Sequence, residues 1–305
     1  MTRIGLCVCT FQRNEPLRRL LESVAAASDH CRDLAQIGVV VVDDNPDGRA
    51  RSVAEDFEGV FPLGISYVPA GLRNIAKARN RALEAASRVG DWVAMVDDDV
   101  VVPPHWFRAL LDVQRRTGAD AVTGPMRVCF PPGSPRWLSD EPFAEIGALL
   151  RTDDGPVHTC ATSNTLMRTG WLVDHPEIRF EEDLGRLGGE DMVFFRRAIA
   201  MGLSAHFSAE VAVRQLEPLQ RSTLAYQLRR ALWMGNSEFV TNHRLATASR
   251  RRLFARGGRR ALRALGRVAA RGRRREPLQL HYALAGVVEG LGIMLGACGV
   301  TLEHR

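Results

Sequence analysis

Lysine is nearly missing from this chain of 305 residues, in which Lys77 is the only one. Arginine therefore carries almost all of the positive charge, and the formal net charge is +6. A positive balance favours anionic partners, such as phosphate groups, an acidic protein or a lipid surface. Aromatic side chains are few in the arginine-rich segment 250–275, and this argues against nucleic-acid binding.

Zinc-site spacing and an export signal are also missing. No Cys-x-x-Cys pair occurs among the six cysteines, which excludes the usual zinc motifs. Cys7 and Cys9 fall in an apolar run, which favours buried, reduced thiols. This first apolar run is short and is broken at Gln12 and Arg13, unlike the apolar core of a signal peptide. We therefore expect a cytoplasmic protein.

Glycine-rich phosphate loops are the third absence. The segment 10–14, which follows the first apolar run, reads TFQRN and contains no glycine. A dinucleotide-binding fold would show G-x-G-x-x-G at this point, and a P-loop protein would show G-x-x-x-x-G-K-[ST]. The phosphate groups of a ligand would therefore be held by a metal ion or by arginine side chains.

Apolar runs that end in acidic residues alternate with helical patterns over the first 120 residues. Strand patterns cover 3–10, 37–43 and 92–97, with helical patterns at 15–27 and 75–88. This alternation predicts an α/β fold with a mainly parallel sheet. The later expected elements are strands at 121–128 and 157–167, and helices at 190–201, 222–248, 250–272 and 278–302.

Two groups of carboxylates follow predicted strands directly. Asp43 and Asp44 end one strand, and Asp97, Asp98 and Asp99 end another. The carboxyl ends of parallel strands meet at one edge of a sheet, where ligands bind. Five carboxylates there would repel one another unless a positive group lay between them, and Mg²⁺ or Mn²⁺ prefers carboxylate oxygens. The sequence therefore predicts a divalent metal site, with a solvated turn as the alternative.

A second acidic pair, Glu190 and Asp191, opens a predicted helix after two glycines. Capping of the helix N-terminus is one explanation, because the helix dipole favours negative charge there. The other explanation is catalytic. A metal ion can neutralise a departing diphosphate, and a carboxylate can accept the proton of an attacking hydroxyl or amine.

Five segments, in order, resemble the motifs of the second family of inverting glycosyltransferases, which has the GT-A fold. The resemblance covers residues 3–235. It implies transfer of a hexose or N-acetylhexosamine from a UDP-sugar, with Mg²⁺ or Mn²⁺ as cofactor. The matching segments are 9–13 (CTFQR), 42–47 (VDDNPD), 74–80 (NIAKARN), 97–99 (DDD) and 189–191 (GED).

The resemblance also implies a role for each matching residue. Asp191 would be the general base with Glu190 as its neighbour, and Asp99 would ligate the metal together with Asp97. Asp43 would accept a hydrogen bond from uracil, and Asn164 would face the donor sugar. The implied nucleotide and donor residues are Thr10, Phe11, Arg13, Asp43, Asp44, Arg73, Arg79, Asp97, Asp98 and Asn164.

One family position departs from the pattern. Many relatives carry a metal-binding histidine in a V-x-H run after the G-E-D helix, whereas this chain has Arg214 and Gln215 after Val213. A third protein ligand could come from Gln215 or from His206, and Arg214 could instead contact phosphate.

The C-terminal third combines a basic and an apolar segment. The arginine-rich segment 250–275 predicts a basic amphipathic helix, which is either a solvated face, a membrane-surface anchor or a dock for an acidic carrier protein. Glu289 splits the apolar segment 282–302 into runs shorter than a membrane span. We expect a packed or dimer-forming helix first, and peripheral contact with the inner membrane surface second.

The expected organisation is a glycosyltransferase domain over 1–220, with a nucleotide half (1–120) and an acceptor half (121–220), and a helical region over 221–305. The acceptor would be a small molecule, a lipid or a carrier-bound intermediate, selected by loop 131–156. A nucleotidyltransferase with a related metal site, or an inactive docking relative, is the alternative.

Overall fold

The computed structural model describes residues 1–145 and 154–303. Over these residues the strands are β1 (Thr2–Thr10), β2 (Ala35–Asp43), β3 (Ile65–Pro69), β4 (Trp92–Asp97), β5 (Val100–Val101), β6 (Ala121–Thr123), β7 (Met126–Cys129), β8 (Gly155–Pro156), β9 (Asn164–Arg168), β10 (Ala205–Phe207) and β11 (Val213–Leu216). The helices are α1 (Asn14–His30), α2 (Arg51–Glu55), α3 (Ile75–Ser87), α4 (Trp106–Thr117), α5 (Trp137–Asp140), α6 (Thr169–Asp174), α7 (Glu190–Ala200), α8 (Leu224–Arg244), α9 (Arg250–Arg273) and α10 (Leu280–Ala297).

A mixed sheet carries the predicted parallel strands. Its described strands follow the order β3-β2-β1-β4-β9-β6-β10-β8. β1 pairs in parallel with β2 and β4, and β2 pairs in parallel with β3. β9 is antiparallel to both of its neighbours, β4 and β6. A second, three-stranded sheet has the order β5-β11-β7. The predicted α/β fold with a mainly parallel sheet is confirmed.

Both faces of the large sheet are buried, which explains its continuous apolar strands. One apolar cluster joins Leu6 and Val39 to Leu20 of α1 and Leu110 of α4. A second cluster, on the other face, includes Val40 together with residues of α3 and α7. Neighbouring residues of β2 thus enter different clusters, as the alternation of side chains along a strand requires.

Two predicted strands and one helix cap differ from the structure. The expected strand 121–128 is divided between β6 and β7, which belong to different sheets, because Gly124 and Pro125 interrupt it. Of the expected strand 157–167, the part from Asn164 onward forms β9. Asn14 does not cap α1; its side-chain amide donates instead to the carbonyl of Arg49 at 2.8 Å. Residues 146–153 of the loop assigned to acceptor choice lie outside the described residues.

The described residues form two compact units. The first comprises Met1–Arg127, Ala148–Gly185 and Glu190–Leu216, and the second Val128–Gly147, Arg186–Gly189 and Glu217–Arg305. The functional division of the chain at residue 220 stays a prediction.

Helix α10 packs inside the second unit against α8 and α9, in agreement with the predicted packed helix. Glycine makes this packing close: a Cβ built on Gly257 of α9 would lie 2.5 Å from the carbonyl oxygen of Gly290. Glu289 of α10 pairs with Arg260 of α9 at 2.6 Å. By length and composition alone α10 could cross a membrane, and 39% of it is buried among its neighbours.

Candidate active site

The register of three parallel strands places three of the predicted site residues, Thr10, Asp43 and Asp97, at one edge of the sheet. Thr10 at the end of β1 is paired with Asp43 at the end of β2. On the other side of β1, Cys9 is paired with Asp97 at the end of β4. The acidic ends of β2 and β4 therefore flank β1, as the sequence predicted.

The carboxylates of Asp43 and Asp44 accept hydrogen bonds from groups of this chain. Asp43, 1% exposed, accepts hydrogen bonds from the backbone N–H groups of Asn45 and Ala50 and from the Tyr67 hydroxyl, each at 2.9 Å. Burial, followed by this hydrogen bond, raises the pKa of Tyr67 to about 12. These contacts hold the loop after β2 in shape, and the bond from Asp43 to uracil stays a prediction.

Asp44 holds the loop that precedes α3. Its carboxylate accepts from the backbone N–H groups of Leu72 and Asn74 at 2.8 and 2.6 Å. Between them, Arg73 is exposed and adopts a positive φ of 50°. This loop therefore presents the Arg73 side chain outward, while Phe11, 40% exposed, lies at the surface after β1.

Arg13 supplies the positive charge beside the next two carboxylates. Its guanidinium lies 3.0 Å from Asp98 and 3.0 Å from Asp99, and Thr10 donates to Asp98 at 2.8 Å. Burial raises the pKa of Asp98 to about 6, against the opposing effect of Arg13. Asp98 and Asp99 are therefore both paired with Arg13, and the role of Asp99 as a metal ligand stays a prediction.

Arg79 of α3 joins β4 to α7. One terminal nitrogen of its guanidinium pairs with Glu190, and the other lies 3.2 Å from Asp97. Burial raises the pKa of Glu190 to about 7, opposed by Arg79 and reinforced by the charge of Asp191. Burial also raises the pKa of Asp97, reinforced by Asp99 and Asp191. The acidic motifs 97–99 and 190–191 thus belong to one electrostatic cluster.

We call the carboxylates of these two motifs and the two arginines that pair with them the acid–arginine cluster. The two arginines supply the positive charge that was expected beside the carboxylates. Its members are Arg13, Arg79, Asp97, Asp98, Asp99, Glu190 and Asp191.

Asp191 differs from Glu190 although the two are neighbours at the start of α7. Glu190 is 5% exposed and paired with Arg79. Asp191 is half-buried, and one of its oxygens accepts from the N–H of Met192 at 2.7 Å. Within the described part of the chain, Asp191 has no cationic partner.

Gln215 is the candidate for a further protein ligand of the metal beside Asp99. β11 pairs with β5, directly after Asp99, and brings the Gln215 amide nitrogen to 3.2 Å from both Asp99 oxygens. The amide oxygen of Gln215 is buried and has no hydrogen-bond partner among the residues that the structure describes. A half-turn of the amide would offer this oxygen beside Asp99. His206, by contrast, lies on β10 near Asp154.

The described residues contain no group of three His, Cys, Asp or Glu side chains that could hold a metal ion. A cation that shares its coordination with a diphosphate needs only one or two protein carboxylates. Asp99 and Gln215 fit that arrangement and do not form a complete cage of their own.

Asn164 is fully buried, and its place facing the donor sugar stays a prediction. It is 0% exposed, and its oxygen accepts from the Trp106 indole at 2.9 Å. Its amide nitrogen donates to the carbonyls of Val211 at 2.7 Å and Pro125 at 3.3 Å. Asn164 therefore joins β9 to Trp106 of α4 and to the carbonyls of Pro125 and Val211. The sequence showed the asparagine but not the buried indole that uses its oxygen.

The comparisons with known proteins identify the family. The model of the family "Glycosyl transferase family 2" matches residues 6–175. The succinoglycan biosynthesis protein ExoM of Rhizobium meliloti (strain 1021) is 34% identical over 236 residues, which span 77% of this chain and 73% of that protein.

Two solved structures share the fold. S. aureus TarS 1–349 in complex with UDP-GlcNAc has a TM-score of 0.55 and 16% identity, covering 96% of this chain and 90% of that 1–349 chain. GalNAc-T7 with UDP, GalNAc and Mn²⁺ has a TM-score of 0.54 and 13% identity, covering 79% of this chain and 50% of that one. The family match decides against the nucleotidyltransferase alternative. The chain belongs to glycosyl transferase family 2 and is a glycosyltransferase with a GT-A type fold.

Proposed function

We propose that this glycosyltransferase transfers a sugar from a UDP-sugar to a hydroxyl or amine group with inversion, and that Asp191 is the general base. The observation that carries the proposal is the unequal environment of two adjacent carboxylates. Glu190 is buried and tied to Arg79, whereas Asp191 is half-exposed and keeps one oxygen without a hydrogen bond among the described residues. Carboxylates whose surroundings differ in this way take different roles in acid–base chemistry.

Glu190 and Arg79 act as positioning residues in this proposal. Arg79 holds Glu190 with one nitrogen and Asp97 with the other. The ion pair therefore fixes the first turn of α7 relative to the end of β4. Asp191 is in that turn, so the pair sets the distance between the base and the donor site. A base within hydrogen-bond reach of the acceptor can take its proton as the new bond forms.

The donor diphosphate would lie at Asp99. A divalent cation bound there would neutralise the charge that develops on the leaving diphosphate. Asp99 and Gln215 would hold this cation. The Mn²⁺ and UDP in the GalNAc-T7 structure and the UDP-GlcNAc in the TarS structure support a divalent cation and a UDP-sugar as the bound molecules. Arg13, now paired with Asp98 and Asp99, would reorient toward the phosphates when the cation binds.

The acceptor is proposed to be part of a growing glycan, because the relative ExoM serves succinoglycan biosynthesis. A lipid or a carrier-bound intermediate is the form in which we expect it. The enzyme would act in the cytoplasm with peripheral contact at the inner membrane surface, and its C-terminal helices would support a homodimer.

The test is the variant Asp191→Asn, with Asp174→Asn as its matched control. Asp174 is an exposed acid of α6 with no ion pair among the described residues. Asp191→Asn should abolish sugar transfer, measured as UDP release from a panel of UDP-hexoses and UDP-N-acetylhexosamines. UDP affinity, measured by calorimetry with Mn²⁺, should stay at the wild-type value. Normal turnover by Asp191→Asn would show that another group is the base.

A further inference from the structure

The second unit contains a groove of about 1020 Å³ that the sugar-transfer chemistry does not use. It lies between α8, α9 and α10. Its carboxylates, among the described residues, are Glu238 of α8 and Glu289 of α10. The arginines that line it, all from α9, are Arg256, Arg259, Arg260, Arg263 and Arg267. Because these arginines recur at intervals of three and four residues, they share one face of the helix.

Both carboxylates of the groove are already paired. Glu238 lies 3.6 Å from Arg256 and 3.3 Å from Arg260, and Glu289 lies 2.6 Å from Arg260. Arg256 and Arg260 are therefore neutralised within the unit.

Three guanidinium groups form no ion pair among the described residues. Arg259 and Arg263 are exposed and form no ion pair there. Arg267 lies over the ring of Tyr282, with 5.6 Å between the guanidinium carbon and the ring centroid. Like charges at this helical spacing repel one another, so the groove carries a positive charge that its own residues do not balance.

The walls between these arginines leave room for a ligand. The remaining lining residues include Gly266, Ala270, Ala285 and Gly286, none of which has a side chain beyond Cβ. Guanidinium groups bind phosphate oxygens through paired hydrogen bonds, and arginine is more suited to this than lysine. The combination of space, unbalanced charge and guanidinium donors matches a phosphate ligand.

We propose that this groove binds a phosphate or diphosphate group, presented either by a soluble anion or by the headgroup of a phosphorylated lipid. Arg259, Arg263 and Arg267 provide the donors, and the ring of Tyr282 supports Arg267 from below. The site is formed by the second unit alone and does not depend on the assignment of the donor site.

The first experiment localises inorganic pyrophosphate on the full chain by hydrogen–deuterium exchange. Pyrophosphate should slow amide exchange in peptides from α9 and α10. The test variant is the double substitution Arg259→Gln and Arg263→Gln. The matched control is Arg251→Gln with Arg273→Gln, which removes the same charge from exposed positions of α9 outside the groove. The affinity associated with α9 protection should fall about tenfold in the test variant and remain near wild type in the control.

The second experiment separates the two sources of phosphate. Flotation compares vesicles of phosphatidylcholine with vesicles that also contain phosphatidic acid. Capture by phosphatidic acid that is lost in the test variant and kept in the control assigns a lipid headgroup. Protection by pyrophosphate without capture by vesicles assigns a soluble ligand, and either result supports the site. Equal losses in both variants, or no binding of either probe to α9, would overturn the proposal.

Discussion

Replacing Glu190 by Gln should make the stability of this protein less dependent on pH. The pKa of Glu190 is about 7 in the folded chain, against an ordinary value of 4.5. Between these values the folded chain binds this proton more strongly than the unfolded chain. Stability contributed by Glu190 is therefore present below about pH 4.5 and is lost as the pH rises through about 7.

The size of this loss follows from the same two values. A pKa difference of one unit corresponds to about 1.4 kcal/mol, so Glu190 alone accounts for at most about 3 kcal/mol. Asp98, whose pKa is raised to about 6, changes stability in the same direction and is untouched by the substitution. The variant should thus keep part of the slope and lose the part that belongs to Glu190.

Urea unfolding measured at several pH values provides the assay. The free energy of unfolding of the wild type should fall from acidic to neutral pH, and the Glu190→Gln curve should be flatter by about 2–3 kcal/mol. Glu84→Gln is the control, because Glu84 of α3 forms an exposed pair with Arg88, the residue that follows α3, and exposed pairs contribute about 0–1 kcal/mol. A Glu190→Gln curve parallel to that of the wild type would refute the argument that burial governs this carboxylate.

Three further predictions concern the metal ligand, the core and the C-terminal packing. Gln215→His should tighten Mn²⁺ binding in the presence of UDP and Gln215→Leu should weaken it, as measured by calorimetry; equal affinities would remove Gln215 from the metal site. Asn164→Ala should destabilise the protein by about 2–4 kcal/mol, because it leaves the Trp106 indole N–H buried and unpaired. A large loss of UDP affinity in the folded variant would instead support a role for Asn164 in the donor site. Gly257→Ala should destabilise the protein by about 1–3 kcal/mol through overpacking. Gly258→Ala, with open space around it, should stabilise the protein by up to about 1 kcal/mol. Similar melting temperatures for the two variants would contradict the close packing of α9 on α10.

The fold and the positions of the acidic motifs could be predicted because local signals carry them. The apolar strands β1, β2 and β4 each end where the sequence changes to polar residues, and their parallel pairing brings Asp43 and Asp97 to one edge. The divided strand at 121–128 also has a local signal, the Gly124-Pro125 dipeptide, which the prediction did not use. A Cβ on Gly124 would also collide with Val211, and this distant neighbour could not be read from the sequence.

The roles of individual polar residues were harder to predict than their positions. The Asp44 carboxylate accepts hydrogen bonds from the backbone N–H groups of Leu72 and Asn74, which follow it by 28 and 30 residues. A sequence motif suggests that such an acid binds a ligand, because the backbone N–H groups that it contacts in the fold cannot be recognised from the sequence. Gln215 shows the reverse case: the departure from the family histidine was visible, but its contact with Asp99 depends on the antiparallel pairing of β11 with β5.

The pairing of Thr10 with Asp43, and of Cys9 with Asp97, has a consequence for how this enzyme tolerates mutation. The hydrogen-bond ladder that aligns the core of the sheet also aligns the edge that carries the candidate active site. A shift of β1 by one residue would exchange the two faces of the strand and separate these partners at the same time. Substitutions that loosen the interior of β1 should therefore reduce sugar transfer before they unfold the chain, and selection for activity would conserve that interior more strictly than stability alone requires.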